Sequence, residues 1–144
     1  MSFSPSLLSL VAFAAWTQIL VLLIGFPRGW LVLRGRAANR FHPAGEDVSP
    51  MAARIARAHM NCVENLPIFG AVIVGIELLG RSAITDPLAP VFIGLRLVQS
   101  VVHMASTTAA AVMVRFTLYS LQVGIVGYWV FELVRKLSQH HTAV

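Results

Sequence analysis

Three sets of polar side chains recur at helical spacing inside otherwise apolar stretches. Arg54, Arg57, Asn61 and Glu64 fall at i, i+3, i+7 and i+10. Arg96, Gln99, Ser100, His103 and Thr107 fall at i, i+3, i+4, i+7 and i+11, and Arg115, Tyr119 and Gln122 at i, i+4 and i+7. On a period of 3.6 residues each set forms one stripe on one helix face. Arg57, Arg96 and Arg115 stand against a single carboxylate, Glu64. A pocket built from these groups favours an anionic ligand, because guanidinium forks bind carboxylates through paired, charge-assisted hydrogen bonds. Any one stripe could equally tie two helices together. Three stripes at one depth point to a shared polar cavity.

The elements that carry these stripes follow from composition. The chain has 144 residues, of which 57% are hydrophobic and only 12% charged. Its mean hydropathy is +0.75. Soluble domains carry roughly 25% charged residues, so a soluble enzyme is excluded, and so is a disordered chain, which needs low hydrophobicity. An integral membrane protein remains. Ten of the 11 basic residues are Arg, scattered and without interleaved aromatics, a pattern that argues against nucleic acid as a partner. The lone Cys62 excludes an internal disulfide. Because it sits off the stripe, Cys62 reads as a packing residue and not as a nucleophile.

A single transmembrane domain over 1–144, with four spans, accommodates the pattern. No charge interrupts Ser6 to Phe26, and about 20 apolar residues cross a bilayer core. The absence of a basic start and of a cleavage pattern argues against a signal peptide. The expected spans are 6–33, 51–80, 88–113 and 116–135, with a polar loop at 34–50. Ser49-Pro50 reads as the start of the second helix. Arg115 is expected to mark the third turn, and the small residues from Ala105 to Ala111 to allow close packing of the third helix. Glu77 and Glu132 read as interfacial, and Trp16, Trp30, Tyr128 and Trp129 as belt or packing residues. Gln139-His140-His141 reads as a solvated tail, with a metal-binding tract as the less favoured alternative.

Orientation follows from basic residues near the span ends. Arg34, Arg36, Arg40, Arg54, Arg57 and Arg115 lie on one side, and Arg81, Arg135 and Lys136 on the other. The first and third loops are therefore expected in the cytosol, with both termini opposite. This orientation puts all three stripes in the cytosolic half of the membrane.

The stretch Arg57-Ala58-His59-Met60-Asn61-Cys62-Val63-Glu64-Asn65-Leu66-Pro67-Ile68-Phe69 resembles the second-helix signature of the MAPEG family, the membrane-associated proteins of eicosanoid and glutathione metabolism. The pattern there is approximately R-A-[HQ]-x-N-x-x-E-x-x-P-[LIF]-F. The resemblance implies an all-α, four-helix membrane bundle that assembles as a homotrimer. It implies glutathione as co-substrate, held at subunit interfaces facing the cytosol, with no metal. Arg57, Asn61 and Glu64 match the glutathione ligands, and His59 lies beside them. Arg34 or Arg36 matches an assisting first-helix Arg. Arg96 matches the third-helix Arg, with Gln99 and His103 at positions often aromatic or His. Arg115, followed by Tyr119, resembles the fourth-helix Arg that holds the thiol.

The activity so implied is that of a transferase or peroxidase acting on a lipophilic small molecule, an electrophile or a hydroperoxide, reached through the membrane lipids. A free thiol has a pKa of about 8.5, and nearby Arg lowers it. Two other readings stay open. One is a non-enzymatic scaffold or lipid-binding protein of the same family, favoured by Met60, where several members carry Arg, and by the absence of third-helix Tyr residues. The other is a small proton-coupled transporter with Glu64 as carrier. Nearby arginines oppose it, because they keep a carboxylate ionised.

Overall fold

The computed structural model describes residues 4–141, with side chains described up to Ser138. The side chains of Gln139, His140 and His141 lie outside the described residues. Among the described residues the regular structure is entirely helical: α1 (Pro5–Leu33), α2 (Pro50–Leu78), α3 (Ala89–Ala105) and α4 (Ala109–His141), with short 3-10 turns at Ala38–Arg40 and Ser82–Ile84. Helices α1, α2 and α4 are each long and apolar enough to cross a membrane. At 1.5 Å per residue, the 17 residues of α3 reach only about 26 Å, short of a hydrocarbon core of about 30 Å.

Local chemistry sets the ends. Ser4 and Ser49 cap α1 and α2, their hydroxyls accepting from the backbone N–H groups of Leu7 (3.1 Å) and Ala52 (3.0 Å). Pro5 and Pro50 occupy the first helical positions, where a missing N–H costs nothing. Gly35 and Gly80 end the same two helices with φ of 94° and 63°. Each places its own N–H, and that of the following Arg, on carbonyls of the last turn. Only glycine enters that backbone region without strain.

The boundary between the last two helices departs from the sequence expectation. Helix α3 stops at Ala105 instead of Met113, and α4 begins at Ala109 instead of 116. Hydroxyls decide it. The Ser106 Oγ accepts from the Thr108 N–H at 3.3 Å, and the Thr108 Oγ1 accepts from the Ala111 N–H at 3.3 Å. These side chains supply the turn and the cap that polar groups at a helix start require. Two corrections follow. Arg115 sits in the second turn of α4 and does not mark the loop. The small residues from Ala105 to Ala111 form the turn and the first turn of α4, not a packing face of α3.

The core is aromatic. Phe69 and Phe92 stack at 4.4 Å, Phe13 meets Phe69 edge-on at 5.7 Å, and Trp129 lies 5.8 Å from Phe69. The four rings come from four different helices and join them toward the end of the bundle where α1 and α3 begin. Because lipid is as apolar as Phe, bundle stability inside a membrane rests on packing and hydrogen bonds more than on the hydrophobic effect. Such ring pairs contribute about 0.5–1.5 kcal/mol each. Trp129 is therefore a packing residue. Away from the core, α1 is held at its start: the Asp86 carboxylate accepts from the Ser6 N–H (3.1 Å) and Oγ (2.6 Å), and Glu77 accepts from the Ser4 hydroxyl.

Candidate functional site

The three stripes meet along one seam between α2, α3 and α4. Arg96 is 1% exposed. Its guanidinium donates to the Asn61 Oδ1 of α2 and lies over the rings of Phe13 and Phe92 at 5.5 and 5.8 Å. Its Nε and Nη2 have no hydrogen-bond partner among the described residues. One turn further along α3, the Gln99 Nε2 donates to the Arg115 carbonyl of α4 at 3.1 Å. The Gln122 Nε2 in turn donates to the Gln99 Oε1 at 3.0 Å. His103 Nδ1 lies 2.9 Å from the Arg115 Nη1. Arginine can only donate, so that nitrogen of His103 accepts and the ring proton sits on Nε2.

Arg57, Glu64 and Tyr119 present themselves on the open side of the seam, all three exposed. Arg57 acts electrostatically on His103 together with Arg115 and Arg96. Glu64 and Tyr119 act in the same way on Arg96. The ion pairs among the described residues are Arg36–Asp47 and Arg135–Glu132. Glu64 is thus within electrostatic reach of Arg96, and Arg57 and Arg115 within reach of His103, with no ion pair among these groups in the described residues. A seam of three guanidiniums and one carboxylate keeps a net positive field directed at whatever approaches its open side.

His59 faces a different space. It lines a cavity of about 620 Å³ between α1, α2 and the first loop, together with Arg57, Met60, Arg28 and His42. The sequence leaves Arg28 as a snorkelling or helix-facing residue. In the fold its Nη2 donates to the carbonyls of His42 (2.8 Å) and Pro43 (3.0 Å), and so holds the loop against α1. The one advance signal was an Arg placed just inside a helix end and followed by a long polar loop.

The two first-helix candidates stay with local partners. Arg34 stacks over Trp30 at 4.7 Å. Arg36 pairs with Asp47, donates to the Asp47 and Arg40 carbonyls, and lies over Phe41 at 4.4 Å. Partial burial works to raise the Asp47 pKa. The backbone N–H groups of His42 and Asp47, with Arg36, outweigh that effect and hold its carboxyl below the ordinary range. Among the described residues no hydrogen bond or ion pair links Arg34 or Arg36 to the seam. Arg54, the first member of the α2 stripe, donates from Nε to the Met104 carbonyl at 2.7 Å, which ties down the end of α3. Cys62 is buried, its Sγ 3.7 Å from the Ser100 Oγ.

The model of the MAPEG family matches residues 6–135. No curated protein and no solved structure matches the chain. The matched stretch takes in the Ser49 cap, the aromatic core and the whole polar seam. The chain belongs to the MAPEG family, membrane proteins of eicosanoid and glutathione metabolism.

Proposed function

We propose that the chain binds glutathione on the open side of the polar seam and uses its thiol on a lipophilic electrophile or hydroperoxide. The supporting observation is the unneutralised set Arg57, Glu64, Arg96 and Arg115, brought together from three helices. Glutathione carries two carboxylates, one ammonium and one thiol. Arg57 suits a carboxylate, Glu64 the ammonium and Asn61 the peptide groups. Gln99, His103 and Tyr119 shape the surroundings, His59 borders Arg57 from the adjoining cavity, and Arg34 or Arg36 reaches in from a neighbouring copy. A ligand held on an exposed face needs a second wall, which supports a homotrimer with sites between subunits. The basic first loop supports a cytosolic opening.

Arg115 is the residue we assign to the thiolate, as a fixed positive charge in a water-poor site. With an electrophile, a carbon–sulfur bond forms and the leaving group departs with its electron pair. With a hydroperoxide, the sulfur takes the outer oxygen and the alkoxide leaves and is protonated by water. A second glutathione then converts the sulfenic acid to the disulfide and releases water. His103 orients the guanidinium through its Nδ1, and positioning supplies much of the rate.

Purified protein should conjugate glutathione to a generic aryl halide and should gain thermal stability when glutathione is added. Arg115→Ala should lower kcat by about 10²-fold or more, as loss of an oxyanion-hole donor does, while glutathione still shifts the Tm. An intact oligomer that shows neither turnover nor a glutathione-dependent shift would instead fit the scaffold reading.

A further inference from the structure

A second cavity, of about 320 Å³, lies between α2, α3 and α4, bordered by Tyr119 and Gln122 of the seam. Its lining includes Asn65, Ile68, Phe92, Tyr119, Gln122 and Gly127, and no charged residue. The orientation of its key amide is set by two carbonyl groups. The Arg115 carbonyl can only accept, so Gln99 presents Nε2 to it and turns Oε1 toward Gln122. Gln122 answers with Nε2, which also donates to the Leu118 carbonyl at 2.9 Å. Its Oε1 is left as a free acceptor: Gln122 is 1% exposed, and that oxygen has no partner among the described residues. By the same reasoning, Asn65 donates from Nδ2 to the Asn61 carbonyl at 2.8 Å and keeps its oxygen free.

We infer that this cavity seats an uncharged lipophile carrying a hydrogen-bond donor, with the donor held by the Gln122 Oε1. A buried acceptor left unpaired is costly, and an apolar guest would leave it so. An anion would meet two amide oxygens and no cation. A hydroxyl or hydroperoxide satisfies the acceptor and lets its chain lie along Ile68 and Phe92. The extension to catalysis rests on the glutathione reading. Tyr119 lines this cavity one turn beyond Arg115, so the guest would be the second substrate, and a hydroperoxide would be preferred to an electrophile that lacks a donor.

The test uses the full chain in lipid nanodiscs without glutathione. A medium-chain alkanol bearing an aliphatic diazirine is compared with its methyl ether, which keeps the oxygen but loses the donor. Photolabelling of the 119–127 segment should be about tenfold stronger with the alcohol, the factor a single net hydrogen bond supplies. Gln122→Leu should bring alcohol and ether to the same level. Gly127→Leu should remove labelling by both; a Cβ at Gly127 meets nothing within 4 Å, so the new side chain starts without a clash and leaves the Gln122 hydrogen bonds in place. Equal labelling of the wild-type chain by the two probes, or labelling that Gly127→Leu leaves untouched, overturns the proposal. Donor selectivity in a protein that fails to bind glutathione would sink the glutathione reading and leave this site standing.

Discussion

At the scale of single residues, the seam separates groups that hold the bundle from groups that face outward. Asn61 and Arg57 lie on the same stripe of α2, yet Asn61 accepts from the buried Arg96 guanidinium while Arg57 is exposed. Replacing Asn61 with Leu leaves a buried guanidinium without its acceptor, and a hydrogen bond to a charged group contributes about 1.5–3 kcal/mol. Denaturant unfolding in detergent should register that loss. Arg57→Leu should stay within about 0.5 kcal/mol of the parent, as exposed substitutions do, while weakening glutathione binding measured by titration calorimetry. If both variants lost equal stability, Arg57 would belong to the scaffold and not to the ligand face. The stripes themselves were legible from spacing alone. Which member of each stripe turns inward was not, because a stripe spans a wide arc and the partner helix decides what lies under its centre.

At the scale of elements, the start of α2 was legible, because Ser49-Pro50 carries a local capping mechanism, while α1 was placed by its uncharged apolar run alone and its Ser4 cap was missed. The α3–α4 boundary was not legible. Its hydroxyl-rich turn lies inside an apolar run, and Arg115 offered a more visible but misleading marker. The first loop shows how a polar segment is ordered without regular structure. Phe41 lies beneath the guanidiniums of both Arg28 and Arg36, and Arg36 pairs with Asp47. The Asp47 carboxyl has its folded-state pKa lowered from 3.8. Its contribution is therefore complete above that value and is lost as pH falls through the lowered one. Hydrogen exchange of residues 36–47 should show protection unchanged from neutral pH down to about 5, with a rise in exchange only below the ordinary carboxylate range. Asp47→Asn should show the faster exchange at every pH.

At the scale of the whole molecule, the outer surface is dominated by apolar side chains such as Phe26, Leu33 and Leu78, each more than 80% exposed. Lipid covers most of such a surface. The exposed Arg57 and Glu64 do not suit lipid, because a charge at mid-bilayer costs about 2.5–3.5 kcal/mol even on lenient insertion scales. The homotrimer proposed above would resolve this by placing that face against a second copy. Native mass spectrometry from detergent should give a mass three times 15.7 kDa, and a Glu64→Trp variant should shift it toward the single chain. A monomer in the parent would remove the second wall that the glutathione site needs. The all-helical membrane class could be read in advance because hydropathy is a sum over many residues. The two cavities could not, since each depends on three separated segments meeting.

The anchoring of α1 carries one more implication. Its first turn is knotted to Glu77 and Asp86, and its last turns are strapped to the loop through Arg28. A rod pinned at both extremities can bow but cannot slide. Any bowing is greatest midway between the two anchors, near Thr17, and smallest beside Arg28, so the walls that Val21 and Ile24 give the first cavity are held steady.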